Sequence, residues 1–383
     1  MTHPSDDSPR RRRFRPTLDV AGRAAVVVGG GGSALRQVAA LIQAGAVVSV
    51  VSERVGATIA DLAGRGSLTW HRRTFVPADL DGAWLAVAAT DGTDTDCRIA
   101  ALCDERRIWC LVERPAERRV SATGRVTLVG GGPGDPGLLT VAGLEALHDA
   151  DVVVTDRLAP VSLLADLDPG VDVVDVGKIP FGKATPQGEI NRILIGHAAA
   201  GRNVVRLKGG DSFLFGRGGE ELLACAQAGV DVTVIPGVSS ALAVPAMAGM
   251  PITHRGLTQG VTVVSGHVPP EDPASTVDYE GLARVGTTLV FLMAVATLPA
   301  ITRALLRHGL NPATPAATIE NGTTPRQRVV RSTLAGIADA VAEAAMTPPA
   351  VTVIGAVAAF ETRSGARGFA GPAALLNGLA PLS

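Results

Sequence analysis

Residues Val204–Glu221 read VVRLKGGDSFLFGRGGEE, and the fold follows from how this stretch is read. Its β-branched opening suits a buried strand. The strand breaks at Lys208-Gly209-Gly210-Asp211, where two adjacent glycines let the backbone come close to a ligand because no Cβ stands in the way. A second glycine turn follows at Gly216, Gly218 and Gly219, and Glu220 and Glu221 fall where a helix over about 219–228 begins, the end of a helix that favours acids. Taken alone, the pattern also fits an ordinary strand–loop–helix connection. Its weight comes from similar loops on either side.

Upstream, Arg125–Val129 reads as a strand entering Gly130-Gly131-Gly132-Pro133-Gly134-Asp135-Pro136-Gly137. This loop lacks the G-K-[ST] ending of a P-loop and is stiffened by its prolines. A helix over Thr140–Asp149 with Thr140 as N-cap comes next. The strand Val152–Thr155 then delivers Asp156-Arg157-Leu158 to its carboxyl end, where open α/β sheets bind ligands. Val171–Val176 is a strand ending in Gly177-Lys178, and Gln187–Ala200 is a helix. Downstream, Val232–Ile235 is a strand, and Pro236-Gly237-Val238-Ser239-Ser240 reads as a hinge between two lobes. The small, apolar segment Ala241–Ala248, interrupted by Pro245, suits close packing. Strands are expected at Val261–Ser265, Thr288–Met293, Ala316–Glu320, Gln327–Ser332 and Ala350–Ile354, with helices at Leu298–His308 and Leu334–Ala344.

Residues 18–115 read as a separate α/β unit. Strand Ala24–Val28, the glycine loop 29–32, helix Ser33–Ala44 and strand Val47–Val51 give Gly29-x-Gly31-x-x-Ala34, a Rossmann-type first turn. NAD would place its phosphates on Gly29, Gly31, Gly32 and Ser33 at the helix start, and its ribose near Glu53 and Arg54. The same pattern fits a dinucleotide fold that has lost its ligand. The expected division is a tail at 1–17, the NAD-type unit at 18–115, a linker at 116–124, two lobes at 125–236 and 237–362, and a second tail at 363–383.

Composition narrows the class. Hydrophobic residues make up 46% of the 383 and charged residues 19%, enough for large cores, and the 45 glycines with only 3% aromatics favour α/β layers with tight turns. A net charge of −1 gives nucleic acid no bulk attraction. Cys97, Cys103, Cys110 and Cys225 form no C-x-x-C pair, so neither a metal site nor a disulfide framework is expected, and a reduced cytoplasm fits. No uninterrupted apolar run of membrane-spanning length is present. The arginines at 10–13 and 15 fit a solvated tail or a polyanion-binding arm.

The loops together identify a family. GGGPGDPGLLT (130–140), DRL (156–158), VGK (176–178), QGEIN (187–191), the 204–221 stretch, PGVSSA (236–241), GMPITHR (249–255), SGH (265–267), MAV (293–295) and ENGT (320–323) resemble, in colinear order, the uroporphyrinogen-III C-methyltransferases. The N-terminal unit is similar to the NAD-binding part of precorrin-2 dehydrogenase/ferrochelatase, so the whole resembles siroheme synthase shortened in the middle. The resemblance implies a fold, an N-terminal Rossmann-like domain followed by a two-lobed α/β tetrapyrrole methylase, and a homodimer. It implies S-adenosylmethionine held by Pro133, Gly209, Gly210, Asp211, Leu214, Ser239, Ser240, Met293 and Gly322, with NAD as a second, weakly held ligand. It further implies Asp156 and Lys178 as base and acid, and uroporphyrinogen III, a polycarboxylate, as substrate. Arg157 and Arg255 are its expected contacts, and Lys183, Arg217 and His254 lie in the same set of loops. Ser212 stands where the family has proline.

Three readings remain open: methylation at C2 and C7 to give precorrin-2; NAD-dependent oxidation and iron insertion by the N-terminal unit as well; or a purely structural N-terminal unit. Against the second, Glu113 is the nearest acid after the strand Ile108–Val112, and only about ten residues follow Pro115 before the next strand.

Overall fold

The computed structural model describes residues 18–90, 92–113, 124–168, 170–177 and 185–360. Lys178, Lys183, Pro115, both terminal tails and nearly all of the expected linker lie outside the described residues.

Three five-stranded sheets follow one another along the chain. The first contains β1 (Ala24–Val28), α1 (Gly32–Gln43), β2 (Val47–Val51), α2 (Ala57–Gly64), β3 (Thr69–His71), β4 (Leu85–Ala88), α3 (Thr93–Glu105) and β5 (Trp109–Val112). It is parallel, in the order β3-β2-β1-β4-β5. The second contains β6 (Arg125–Gly130), α4 (Val141–His148), β7 (Val152–Thr155), β8 (Asp172–Asp175), α5 (Gln187–Ala199), β9 (Asn203–Lys208), α6 (Gly218–Gln227) and β10 (Asp231–Ile235). It too is parallel, ordered β10-β6-β9-β7-β8. The third lobe contains α7 (Ser240–Met247), β11 (Val261–Ser265), α8 (Tyr279–Arg284), β12 (Thr288–Leu292), α9 (Leu298–Arg307), β13 (Pro315–Glu320), β14 (Arg328–Thr333), α10 (Ile337–Glu343) and β15 (Ala350–Ile354). Its sheet is mixed, ordered β11-β12-β15-β13-β14, with β15 antiparallel to both neighbours.

The apolar runs that read as strands form strands because both faces of each parallel sheet are covered. In β1, Ala25 and Val27 enter one core cluster and Val26 and Val28 the opposite one. In β7, Val153 faces the first of these clusters, while Val152 and Val154 face another. Thr140 caps α4 by accepting from Gly143 N at 3.1 Å. Helix α7 runs through Pro245 rather than breaking there. Elements α2, β3 and α8 were not expected; at eight, three and six residues they are too short to display a period.

One difference is larger. The N-terminal unit and the second sheet share a core: Val27, Leu35, Val38, Val50 and Ile59 belong to the same cluster as Val129, Val153, Leu163, Leu164, Val171 and Leu207. Helix α1 buries Ala34, Leu35, Val38, Ala39 and Leu41, and packs on its own sheet as well as on β8 and the short helical turn Val161–Leu164. Buried Arg36 reinforces the junction, donating to Val171 O at 2.8 Å and pairing with Glu113 at 2.6 Å.

Candidate active site

Loops from both methylase-like lobes meet at the carboxyl ends of β6 and β9. Gly132 and Gly210 exchange backbone hydrogen bonds, at 3.2 Å from Gly132 N and 2.7 Å from Gly210 N. A Cβ on Gly209 would lie 2.7 Å from the Leu158 carbonyl carbon, and one on Gly237 would lie 2.6 Å from Gly130 Cα. These backbones pass too close for any side chain. At Gly210 the demand is conformational: φ is +65°, and an added Cβ would meet nothing nearer than Ser240 N at 3.8 Å.

Asp211 ties the loops together. Its Oδ1 accepts from Phe213 N at 2.9 Å and Leu214 N at 3.2 Å, and its Oδ2 accepts from Gly237 N in the interlobe connection at 3.0 Å. Its first role here is thus to shape the cradle, with lone pairs left over for a ligand. Ser239 caps α7 by accepting from Ala241 N at 3.2 Å, so the amino end of that helix, a favourable place for an anion, opens beside Gly210. Leu214 reaches into the core of the third lobe with Ala241 and Val244. Gly322 presses on Val244, where a Cβ would come within 2.6 Å of Cγ2. Asp135 N, two residues after Pro133, donates to Thr323 Oγ1 at 3.1 Å. Pro133, Gly209–Asp211, Leu214, Ser239, Ser240 and Gly322 therefore converge. Met293 is exposed after β12 at φ 58°, with no side-chain hydrogen bond joining it to the rest among the described residues. Ser212 is fully buried, with a hydroxyl that finds no partner among the described residues.

Asp156 stands beside this cradle, since its own loop is the one Gly209 abuts. Asp156 Oδ1 accepts from Leu158 N at 3.0 Å, and Oδ2 is held by Arg206 Nη2 at 2.8 Å. Arg206 is buried and also contacts Glu221 through Nε at 3.1 Å. Glu221, fully buried, accepts from Lys208 Nζ at 3.1 Å and Gln187 Nε2 at 3.2 Å. Burial works against the Arg206 cation, but Asp156 and then Glu221 outweigh it and hold its pKa above the usual value. Burial, followed by the Arg206 charge, lowers Lys208 despite Glu221. Sequence reasoning missed Arg206 and Glu221. The signal was available: cations two apart on a buried strand share a face and require an acid there.

The expected substrate cations are dispersed. Arg157 pairs with Asp61 of the N-terminal unit at 3.4 Å rather than standing free. Arg217 is taken up by Glu220 through two contacts, at 2.8 and 2.7 Å. Arg255 is exposed and makes no ion pair among the described residues; its carbonyl contacts His254 Nδ1, whose ring packs on Phe360.

In the N-terminal unit a cavity of about 590 Å³ is lined by Gly29, Gly30, Gly31, Glu53, Arg54, Arg73, Thr90 and Arg98 among others. A Cβ on Gly29 would lie 2.6 Å from Ala89 C, so the turn is pressed onto the end of β4. The amino end of α1 and this glycine turn suit a dinucleotide. Gly32 and Ser33 do not line the cavity. The site of the missing Gly32 side chain is 2.8 Å from Val173 C, because α1 docks its start on β8. Glu113 is also absent from the lining; both its oxygens are engaged, by Arg36 and Gln37. No cluster of His, Cys, Asp and Glu that would hold a metal occurs among the described residues.

Comparison with known proteins places these features. Residues 125–338 match the family model described as tetrapyrrole (corrin/porphyrin) methylases, and residues 17–120 match one described as putative NAD(P)-binding. The S-adenosyl-L-methionine-dependent uroporphyrinogen III methyltransferase of Methanosarcina barkeri is 44% identical, over 61% of this chain and 92% of its own length. The siroheme synthase of Edwardsiella ictaluri is 32% identical, over 88% of this chain and 94% of its own. That alignment runs over 440 residues, more than the 383 of this chain, so the relative carries segments missing here. The uroporphyrin-III C-methyl transferase of Thermus thermophilus, solved with S-adenyl homocysteine, is 43% identical with a TM-score of 0.52, covering 61% of this chain and 98% of that one.

Proposed function

The chain belongs to the tetrapyrrole (corrin/porphyrin) methylases, and from that premise we propose that it methylates uroporphyrinogen III at C2 and C7 with S-adenosylmethionine, giving precorrin-2. The observation that carries this is the backbone contact between the Gly209–Asp211 turn and the Asp156–Leu158 loop, which sets a base beside a cofactor cradle. The cradle suits the cofactor: closely apposed glycine backbones leave room, and the amino end of α7 offers N–H groups to its carboxylate. S-adenosylmethionine supplies a methyl group already activated on a sulfonium.

The protein's task is then alignment and proton removal. Pro133, Gly209, Gly210, Leu214, Ser239, Ser240, Met293 and Gly322 hold the cofactor, and Asp211 fixes the turn they stand on. Arg206 pins the Asp156 carboxylate beside the cradle, and this carboxylate accepts the proton released once the pyrrole carbon is methylated. Lys178 serves as the acid, and Arg157 and Arg255 take substrate carboxylates. The working form is a homodimer in the cytoplasm; no helix among the described residues is long and apolar enough to cross a membrane.

A second reading, NAD-dependent oxidation of precorrin-2 and iron insertion, is favoured by the 590 Å³ cavity and by the length of the siroheme synthase match. In this reading Gly29, Gly31, Glu53 and Arg54 hold NAD. The engagement of Glu113 with Arg36 and Gln37 weighs against it, since the acid nearest the expected position is committed to a structural pair. Incubation with uroporphyrinogen III and S-adenosylmethionine, with and without NAD and Fe²⁺, followed by mass spectrometry, tests both readings. The expected product is the doubly methylated tetrapyrrole in every case, with turnover lowered ~10²–10⁴-fold in Asp156→Ala. An unmethylated product sinks the first reading. Sirohydrochlorin or siroheme that disappears in Gly31→Asp establishes the second.

A further inference from the structure

Helix α2 begins where the cavity-lining residues Arg54 and Val55 end, and it projects onto the methylase. Thr58, Asp61 and Arg65 follow one another on one side of its turn, at a spacing that shares a helix face. Thr58 N donates to Asp175 Oδ2 at 2.8 Å, at the end of β8. Asp61 Oδ1 faces Arg157 Nη1 at 3.4 Å, while Asp61 Oδ2 receives Arg65 Nε at 2.8 Å. Arg65 Nη1 donates onward to Asn321 Oδ1 at 3.3 Å. The line Arg157–Asp61–Arg65–Asn321 thus runs from the loop carrying Asp156 to the turn carrying Gly322. It crosses between the two methylase lobes by way of the N-terminal unit.

Arg157 is the neighbour of the base, and its side chain is 36% exposed, so its guanidinium can change partners. Asp61 is 16% exposed and already committed to Arg65, so it stays in place. A substrate carboxylate arriving at Arg157 meets a cation that is already partly neutralised. We propose that Asp61, contributed by the N-terminal unit, is a positioning residue that sets substrate affinity in the methylase: it competes with a substrate carboxylate for Arg157. This rests on the reading of Arg157 as a substrate contact. The N-terminal unit then shapes methylation whether or not it binds a dinucleotide.

The pair is long and partly exposed, the kind worth no more than about fivefold in an equilibrium. Initial rates of S-adenosylhomocysteine formation against uroporphyrinogen III concentration, using the full chain, provide the test. Asp61→Asn is expected to lower KM about two- to fivefold with kcat and S-adenosylmethionine affinity unchanged, and Asp61→Glu to restore the parent value. In an Arg157→Ala background, where KM is already raised, Asp61→Asn is expected to change nothing further. If Arg157→Ala leaves KM untouched, the substrate reading of Arg157 fails and the proposal falls with it. If Arg157→Ala raises KM but Asp61→Asn leaves it unchanged, raises it, or lowers it equally in both backgrounds, Asp61 only props α2 and the proposal alone is overturned.

Discussion

Replacing Gly209 with alanine tests the cradle at its narrowest point. The added methyl would sit 2.7 Å from the Leu158 carbonyl carbon and closer still to its oxygen, against 3.4 Å for ordinary contact. Neither neighbour is a flexible side chain, so two loops must part by ~1 Å, and a misplacement of that size costs ~10²-fold in rate. The loops concerned carry Gly210–Asp211 on one side and Asp156 on the other. Overpacking of this kind also costs ~1–3 kcal/mol of stability. If cofactor binding has to close the loops again, the same energy appears as a ~5- to 150-fold loss of S-adenosylmethionine affinity. Urea titration, calorimetry with the cofactor and S-adenosylhomocysteine release measure the three quantities. Gly196→Ala is the control. It lies inside α5 with nothing within 4 Å of the added carbon, so it should gain ~0.5–1 kcal/mol and leave turnover unchanged. A Gly209→Ala protein with parental affinity and turnover would refute the claim that these two loops form one site.

Arg206→Met keeps an unbranched apolar stem but removes the guanidinium from both fully buried Glu221 and Asp156. Removing one partner of a buried pair costs ~3–5 kcal/mol, so the urea midpoint should fall sharply and turnover with it; parental stability would mean that Lys208 and Gln187 suffice for Glu221. Glu320 makes a pH prediction. Burial pushes its pKa up, but the Thr347 hydroxyl and N–H and the Arg328 guanidinium outweigh burial and hold it below the ordinary carboxylate range. Its contribution is therefore complete above that range and is lost as pH falls through the lowered folded value. The stability gap between the parent and Glu320→Gln should shrink between about pH 6 and about pH 3, and a gap that stays constant across that interval contradicts the assignment.

What the sequence made legible was local. β-branched runs such as Val152–Thr155 announce strands, and glycines 130, 209 and 237 announce backbone contact that only their own pairing completes. The partner of a buried charge is a tertiary fact. Nothing near Arg206 in the sequence says that Asp156, fifty residues earlier, will meet it, although the acid Glu221 at the start of α6 lay within view. The intended faces of α1 were equally hidden, because Leu35, Val38 and Leu41 have the same spacing whether the helix covers one sheet or lies between two. Arg157 and Gly32 have contacts that stayed hidden for that reason. Each was assigned to a ligand from its own loop, and each is claimed by a neighbouring unit, Arg157 by Asp61 and Gly32 by β8.

The helix layer between the first and second sheets also bears on how the chain melts. Because α1 belongs to the same apolar cluster as β1, β2, β7 and β9, the N-terminal unit cannot open without exposing the face on which the methylase's first lobe rests. Cooperative opening units follow shared cores rather than sequence-family boundaries. Amides of β1 and β7 should accordingly exchange with solvent through one common opening, while those of β13, in the core of the third sheet, keep their own rate. A protein cut before Arg125 would lose half of a folding unit, so the N-terminal unit contributes to the stability of the methylase whether or not it binds a dinucleotide.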